Sequence, residues 1–328
     1  MPYQRDILNI SDFDKADFDY ILSVARSIAE NPSRYGEVAK GKLLATLFFE
    51  PSTRTRLSFE SAMLRMGGQV LGFSEAGVSS TAKGESPEDT ARTVSGYCDI
   101  MVVRHPTALV PHRMAKVSDV PIINAGDGSN EHPTQTLTDL VTIYRRFGRL
   151  DHLTIGLCGD LKHGRTVHSL IKALSQYPGN HFILIAPEAL KMPEDVLELL
   201  EERGVGYTVT DDLESSIGQV DILYMTRIQR ERFQNPTEYR RLKGVYVLDA
   251  EKMKSAKEDM IVLHPLPRVD EINSEVDSDP RAWYFLQTQC GVLARMALII
   301  KQLQLNDQLG DGFLSVHTCD TPAATHSA

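Results

Sequence analysis

Cysteine is scarce in this chain of 328 residues: Cys98, Cys158, Cys290 and Cys319 stand alone, with no pair at metal-ligand spacing. That excludes a disulfide framework and a cysteine-based zinc site, and leaves buried thiols in a reducing compartment as the reading. No apolar run approaches the roughly 20 residues that span a bilayer. The N-terminal stretch MPYQRDILNISDFDKADFDY lacks a signal-peptide core, so the chain is expected to be cytoplasmic with no membrane partner. Positive charge is in deficit, with 35 Lys and Arg against 44 Asp and Glu, a net charge of -9. This argues against a general nucleic-acid surface. It leaves room for small anions held by local arginines, on which net charge does not report.

Several chemical signatures are also missing. Gly156, Gly159 and Gly164 do not have the G-x-G-x-x-G spacing of a dinucleotide loop. No G-x-S-x-G elbow surrounds Ser52, and no cysteine has a reactive context, so covalent catalysis is not indicated. No carboxylate cluster resembles a divalent-metal site. The expectation is an enzyme with no cofactor and no metal, one that positions two bound anions and stabilises an oxyanion.

What is present is an alternation of strand and helix signals. Leu43-Leu44-Ala45-Thr46-Leu47-Phe48-Phe49 is an apolar run of strand length, suited to a parallel strand covered on both faces. A helix follows, with Ser52 or Thr53 as its cap and Phe59, Ala62, Met63 and Met66 as its apolar stripe. Further strands are predicted at 100–103, 120–123, 153–158, 182–186, 222–225, 246–248 and 261–263, with helices at 133–147, from about Thr166, and at 193–203. Two successive runs of βα units predict an α/β protein of two doubly wound parallel-sheet domains, with the active site in the crevice between them. The expected division is 1–149, 150–285 and a tail, 306–328, rich in small and polar residues and expected to be disordered. A last helix, about 286–305, could pack on either domain.

The polar residues gather where predicted strands end. Glu50-Pro51-Ser52-Thr53-Arg54-Thr55-Arg56 joins a buried strand to a helix, and free N–H groups with the helix dipole make an anion site there. A serine/threonine cap with exposed arginines would look the same. Arg104-His105-Pro106, the 127–135 segment with His132 and Gln135, Arg165, Thr226-Arg227-Ile228-Gln229 and His264-Pro265-Leu266-Pro267-Arg268 follow other strands. Taken singly, His132 beside Pro133 reads as a turn or cap histidine, and Arg165 and Arg227 as surface arginines. Basic residues after five strands, beyond the carboxyl ends where open α/β sheets bind ligands, imply a strongly anionic ligand.

Together these segments resemble the aspartate/ornithine carbamoyltransferase family. Phe48-Phe49-Glu50-Pro51-Ser52-Thr53-Arg54-Thr55-Arg56 resembles its carbamoyl phosphate motif, and further matches run in order to about Arg295. His264-Pro265-Leu266-Pro267 and Met225-Thr226-Arg227-Ile228-Gln229 resemble the aspartate branch; ornithine enzymes carry a cysteine after the histidine and a serine-methionine-glycine motif. The resemblance implies transfer of the carbamoyl group of carbamoyl phosphate to L-aspartate in pyrimidine biosynthesis, with ornithine as the alternative acceptor. It implies carbamoyl phosphate binding by Ser52, Thr53, Arg54, Thr55, Arg104, His132 and Gln135. Of these, Thr55, Arg104 and His132 would face the oxyanion and Arg54 the leaving phosphate. Arg165, Arg227 and Gln229 would bind the carboxylates of aspartate, with Leu266 and Pro267 near its amine. Ser79 and Lys83 lie in a loop that in the family enters a neighbour's site, which implies a homotrimer with Lys83 touching both substrates. Glu50 would pair with Arg165 and Arg232 in a closed form. The resemblance also implies a cis peptide at Leu266-Pro267. Some relatives pair with a zinc-containing regulatory chain, and the segments 221–229 and 263–270 resemble that group.

Overall fold

The computed structural model describes residues 6–78, 80–228 and 236–306. Ser79, Gln229, Arg232 and the tail beyond 306 lie outside the described residues. Two wholly parallel sheets organise the chain. The first contains β1 (Leu43–Phe48), β2 (Gln69–Phe73), β3 (Ile100–His105) and β4 (Ile122–Asp127), in the order β2-β1-β3-β4. The second contains β5 (Thr154–Cys158), β6 (His181–Ile185), β7 (Gly206–Thr210), β8 (Ile222–Met225) and β9 (Ile261–Leu263), in the order β7-β6-β5-β8-β9.

Strand periodicity of two explains why both faces of the first sheet are apolar. Leu44 and Phe48 of β1 point into one core with Ile100, Val102 and Ile123; Ala45 and Leu47 point into another with Met101, Val103 and Ile122. The first of these cores continues without a break into the second sheet, through Ile155, Leu157, Phe182, Leu184, Ile222 and Leu263. The helices of the first half are α1 (Lys15–Glu30), α2 (Thr53–Arg65), α3 (Pro87–Ser95), α4 (Val110–Ala115) and α5 (Pro133–Phe147). Those of the second are α6 (Arg165–Leu174), α7 (Glu194–Glu202), α8 (Leu213–Ile217), α9 (Pro236–Leu242), α10 (Ala250–Met253) and α11 (Tyr284–Gln302). α11 returns to lie against α5, α2 and α1. Its Ala294, Ala297, Leu298 and Ile300 are buried in the shared core. Lys172 of α6 also reaches back, to Glu131 ahead of α5 at 2.9 Å. No helix among the described residues is long and apolar enough to cross a membrane.

Two expectations need correction. The segment 246–248 is not a strand: Leu248 makes an isolated bridge to Ile272, and the Tyr246 hydroxyl donates to the Asp211 carbonyl at 2.9 Å. The apolar signal there reflects burial under the second sheet, since both residues pack into the core on its outer face. β4 starts at Ile122, and Val120 precedes it. It runs on to Asp127, carrying the chain to the polar end of the sheet.

Candidate active site

The carboxyl ends of β1, β3, β4, β5, β8 and β9 open on one cavity of about 630 Å3, within the usual range for small-ligand sites. From the first sheet it is lined by Glu50, the 52–55 turn, Arg104, His132 and Gln135. From the second it is lined by Arg165, Arg227 and the turn from His264 to Pro267. The strand-end residues expected to bind the substrates therefore meet, apart from Lys83 and those outside the described residues, while Arg56, His105 and Arg268 do not line the cavity.

The start of α2 forms one wall. Ser52 is its N-cap in extended conformation, but its side chain makes no capping hydrogen bond. The first backbone N–H groups of a helix have no acceptor within it, so this end can receive an anion. Burial, then the nearby Arg104 charge, lower the pKa of Arg54, a group that stays cationic at any physiological pH.

Arg104 sits deeper. Its Nη2 pairs with Glu50 Oε1 at 2.6 Å and its Nη1 donates to the Ala125 carbonyl at 3.3 Å. Arg165 Nη1 donates to the Gly128 carbonyl. The two guanidiniums converge on Gly126, whose φ of 113° suits glycine. A Cβ there would stand 3.0 Å from Arg104 Nη1 and 3.2 Å from Arg165 Nη2. A cation from each sheet thus reaches the same patch of backbone.

His132 is the N-cap residue of α5, followed by Pro133 in its first turn. Its side chain makes no capping hydrogen bond, and it is also a buried wall of the cavity. Its Nε2 lies 3.5 Å from Thr55 Oγ1 and its Nδ1 3.3 Å from Thr134 Oγ1. Burial, then Arg165, Arg104 and Arg295, hold its pKa well below the ordinary imidazole value. His132 is therefore a neutral hydrogen-bonding group at physiological pH rather than a cation.

The opposite wall is set by His264. Burial keeps this ring neutral as well, the effect of Glu271 being smaller. Its Nδ1 accepts the Leu266 backbone N–H at 2.7 Å, and its Nε2 faces Glu271 Oε1 at 2.7 Å. Because the backbone N–H can only donate, Nε2 carries the ring proton and donates to the carboxylate. The ring thereby fixes the turn in which Leu266-Pro267 is cis.

Lys83 is placed differently. It ends a 3-10 turn, Ser80–Lys83, is exposed, and does not line the cavity of its own chain. Pro106, Gly128, Thr166 and Thr226 also line it; they fall within or beside the strand-end segments quoted from the sequence, but no site role was given to them. Proline, glycine and threonine at strand ends have too many other uses to stand out. Among the described residues no group of three His, Cys, Asp or Glu could hold a metal ion.

Comparison with known proteins agrees with this layout. Residues 5–145 match the carbamoyl phosphate-binding domain of aspartate/ornithine carbamoyltransferase, and residues 151–301 match its Asp/Orn-binding domain. The aspartate carbamoyltransferase catalytic subunit of Clostridium novyi is 59% identical over 299 residues, covering 91% of this chain and 98% of that protein. The catalytic subunit of aspartate transcarbamoylase from M. jannaschii superposes with a TM-score of 0.86 at 45% identity, covering 93% of this chain and 99% of that one. The aspartate transcarbamoylase of Trypanosoma cruzi, solved with N-(phosphonacetyl)-L-aspartic acid, superposes with a TM-score of 0.85 at 41% identity, covering 90% and 95%. The chain belongs to the aspartate/ornithine carbamoyltransferase family.

Proposed function

We propose, from that membership and this geometry, that the chain is an aspartate carbamoyltransferase, a cytoplasmic enzyme converting carbamoyl phosphate and L-aspartate to N-carbamoyl-L-aspartate and phosphate. The observation that carries the reading is a single cavity lined both by the anion-receiving start of α2 and by Arg227 with the His264–Pro267 turn.

In this reading carbamoyl phosphate belongs to the β1–β4 half and aspartate to the β5–β9 half. The N–H groups at the start of α2, with Ser52, Thr53 and Arg54, hold the phosphate. Thr55, Arg104 and His132 surround the carbonyl oxygen, and Gln135 the carbamoyl nitrogen. Arg165 and Arg227 bind the carboxylates of aspartate, with Gln229 beside them. The aspartate amine attacks the carbonyl carbon near the Leu266 carbonyl and Pro267, and the carbonyl oxygen becomes an oxyanion. The C=O bond then re-forms as the C–O bond to phosphate breaks, and phosphate leaves with the bonding pair and takes up the proton that the amine gives up. The neutral state of His132 suits this role, since it can donate a hydrogen bond to the oxyanion without transferring a proton. An arginine at 227 also suits a carboxylate and repels the ammonium of ornithine.

Lys83 is exposed and away from its own chain's cavity, which supports a trimer in which it serves a neighbour's site together with Ser79. Glu50 now holds Arg104, so pairing with Arg165 and Arg232 would require a change of partner as the crevice closes on its substrates. The test is product formation. Purified protein supplied with carbamoyl phosphate and L-aspartate should release phosphate and form N-carbamoyl-L-aspartate in equal amounts, and phosphate release without the carbamoyl product would overturn the reading.

A further inference from the structure

Behind the cavity lies a buried polar cluster centred on Asp139 of α5, whose side chain is fully shielded from solvent. Its Oδ1 accepts two hydrogen bonds, from Gln135 Nε2 at 2.8 Å and from Gln287 Nε2 at 2.6 Å. Its Oδ2 accepts the Tyr224 hydroxyl at 2.9 Å. Gln135 is one turn back on the same helix, Tyr224 belongs to β8 of the second sheet, and Gln287 belongs to α11. One carboxylate is therefore gripped from both halves of the molecule.

The chemistry of the donors makes this arrangement directional. An ionised carboxylate only accepts, so each glutamine must present its NH2 group to Asp139. That leaves the carbonyl oxygen of each amide for another partner. For Gln287 the partner is visible: its Oε1 accepts the His264 backbone N–H at 3.0 Å. His264 in turn accepts the Leu266 N–H at 2.7 Å, so the orientation of Gln287 is passed on to the turn on the acceptor side of the crevice. For Gln135, which lines the cavity, the Oε1 is the end offered to a ligand. An acceptor there matches a carbamoyl NH2, which only donates.

We propose that Asp139 is a positioning residue for the transfer, setting from one buried carboxylate both the amide of Gln135 on the donor side and the His264–Leu266 turn on the acceptor side. The proposal rests on the carbamoyl-transfer reading above. Asp139 fixes which end of the Gln135 amide faces the cavity, and an amide at 139 could donate to the Gln135 oxygen and so let it turn over; for Gln287, whose orientation the His264 N–H also fixes, Asp139 anchors the side chain at its NH2 end. Burial pushes the Asp139 carboxyl up to about 7, opposed by its hydrogen bonds and by the buried Arg295, which together favour the ionised form.

Asp139→Asn changes one atom and tests this with three readouts: the Kd for carbamoyl phosphate without aspartate, the KM for aspartate, and Tm. Both the Kd and the KM should rise about tenfold, the scale of one well-oriented hydrogen bond to a charged group. Gln287→Met severs only the acceptor arm. It should raise the KM for aspartate while leaving the Kd for carbamoyl phosphate within about twofold of wild type, and it keeps the question open to measurement if Asp139→Asn does not fold. A merely structural cluster would lower Tm in both variants and leave both affinities near wild type, and that result would overturn the proposal. So would a Gln287→Met protein whose two affinities change equally. Inactive wild-type protein would remove the functional reading and this inference with it; an active wild type beside an indifferent Asp139→Asn removes only this inference.

Discussion

At the scale of single residues, charge and burial oppose each other around the cavity. Arg54 is exposed at the start of α2, and among the described residues no hydrogen bond ties it to a buried acceptor. Arg54→Ala should therefore leave the unfolding free energy within about 0.5 kcal/mol of wild type. Loss of a preorganised charge at the leaving phosphate should lower kcat by about 10²–10³. Steady-state kinetics with thermal melts on the same sample check both, and a near-normal kcat would make Arg54 a surface residue. Asp139 gives a prediction on pH. Its carboxyl is raised from 3.8 to about 7 in the folded protein, so between those values the folded state holds a proton that the unfolded chain has lost. Its contribution to stability then falls as pH rises through that window and is constant above it. Asp139→Asn lacks this slope, so the Tm of the variant relative to wild type should climb between about pH 4 and pH 7. Tyr224 is pushed further above its ordinary value and Arg295 lowered only to about 10, so both titrate outside the window. His132, depressed by burial, titrates in both proteins and cancels in the difference. A Tm difference that stays flat across this range would contradict the assignment.

Many of the residues that line the cavity were legible in the sequence because arginine, histidine and serine at strand ends have few structural uses in combination. Asp139 was not. It stands among the buried Leu137, Leu140, Val141 and Ile143 of α5, and two of its partners are 85 residues away at Tyr224 and 148 away at Gln287. No spacing rule reports such separations.

At the scale of elements, central strands and edge strands differ in what they reveal. β1 and β3 are covered on both faces and are written as continuous apolar runs. β2 (Gln-Val-Leu-Gly-Phe) and β7 (Gly-Tyr-Thr-Val-Thr) sit at sheet edges with no fully buried residue, so neither carries a strong signal. α1 was missed although its cues are present: Asp14 and Asp17 form a capping box, and Phe18, Ile21, Leu22, Ala25 and Ile28 are buried on one face. Between elements, α11 against α2 offers a stability test. The fully buried Phe59 ring carries the buried Arg295 guanidinium 5.0 Å from its centroid. Phe59→Ala opens a cavity and withdraws that contact, so it should cost about 3–5 kcal/mol in denaturant unfolding. A cost below about 1 kcal/mol would mean that the α2–α11 contact contributes little.

At the scale of the whole molecule, the cavity exists only where the two sheets face each other across the crevice, and the proposed trimer would extend that logic to neighbouring chains. Lys83→Ala and Arg54→Ala proteins should each be nearly inactive. Dissociated, mixed and reassociated, they should regain activity, because a hybrid trimer contains an interface at which both residues are native. Hybrids verified on a native gel yet still inactive would place Lys83 and Arg54 in the same chain's site. In the proposed function, this one crevice directs the carbamoyl group to a dicarboxylic amine. Competition tests it most directly: carbamoyl phosphate is supplied with equal concentrations of L-aspartate and L-ornithine, and both products are quantified, giving the ratio of the two kcat/KM values. Arg165 at the start of α6 and Arg227 beyond β8 predict N-carbamoyl-L-aspartate in large excess over citrulline, and citrulline as the major product would overturn the proposed function.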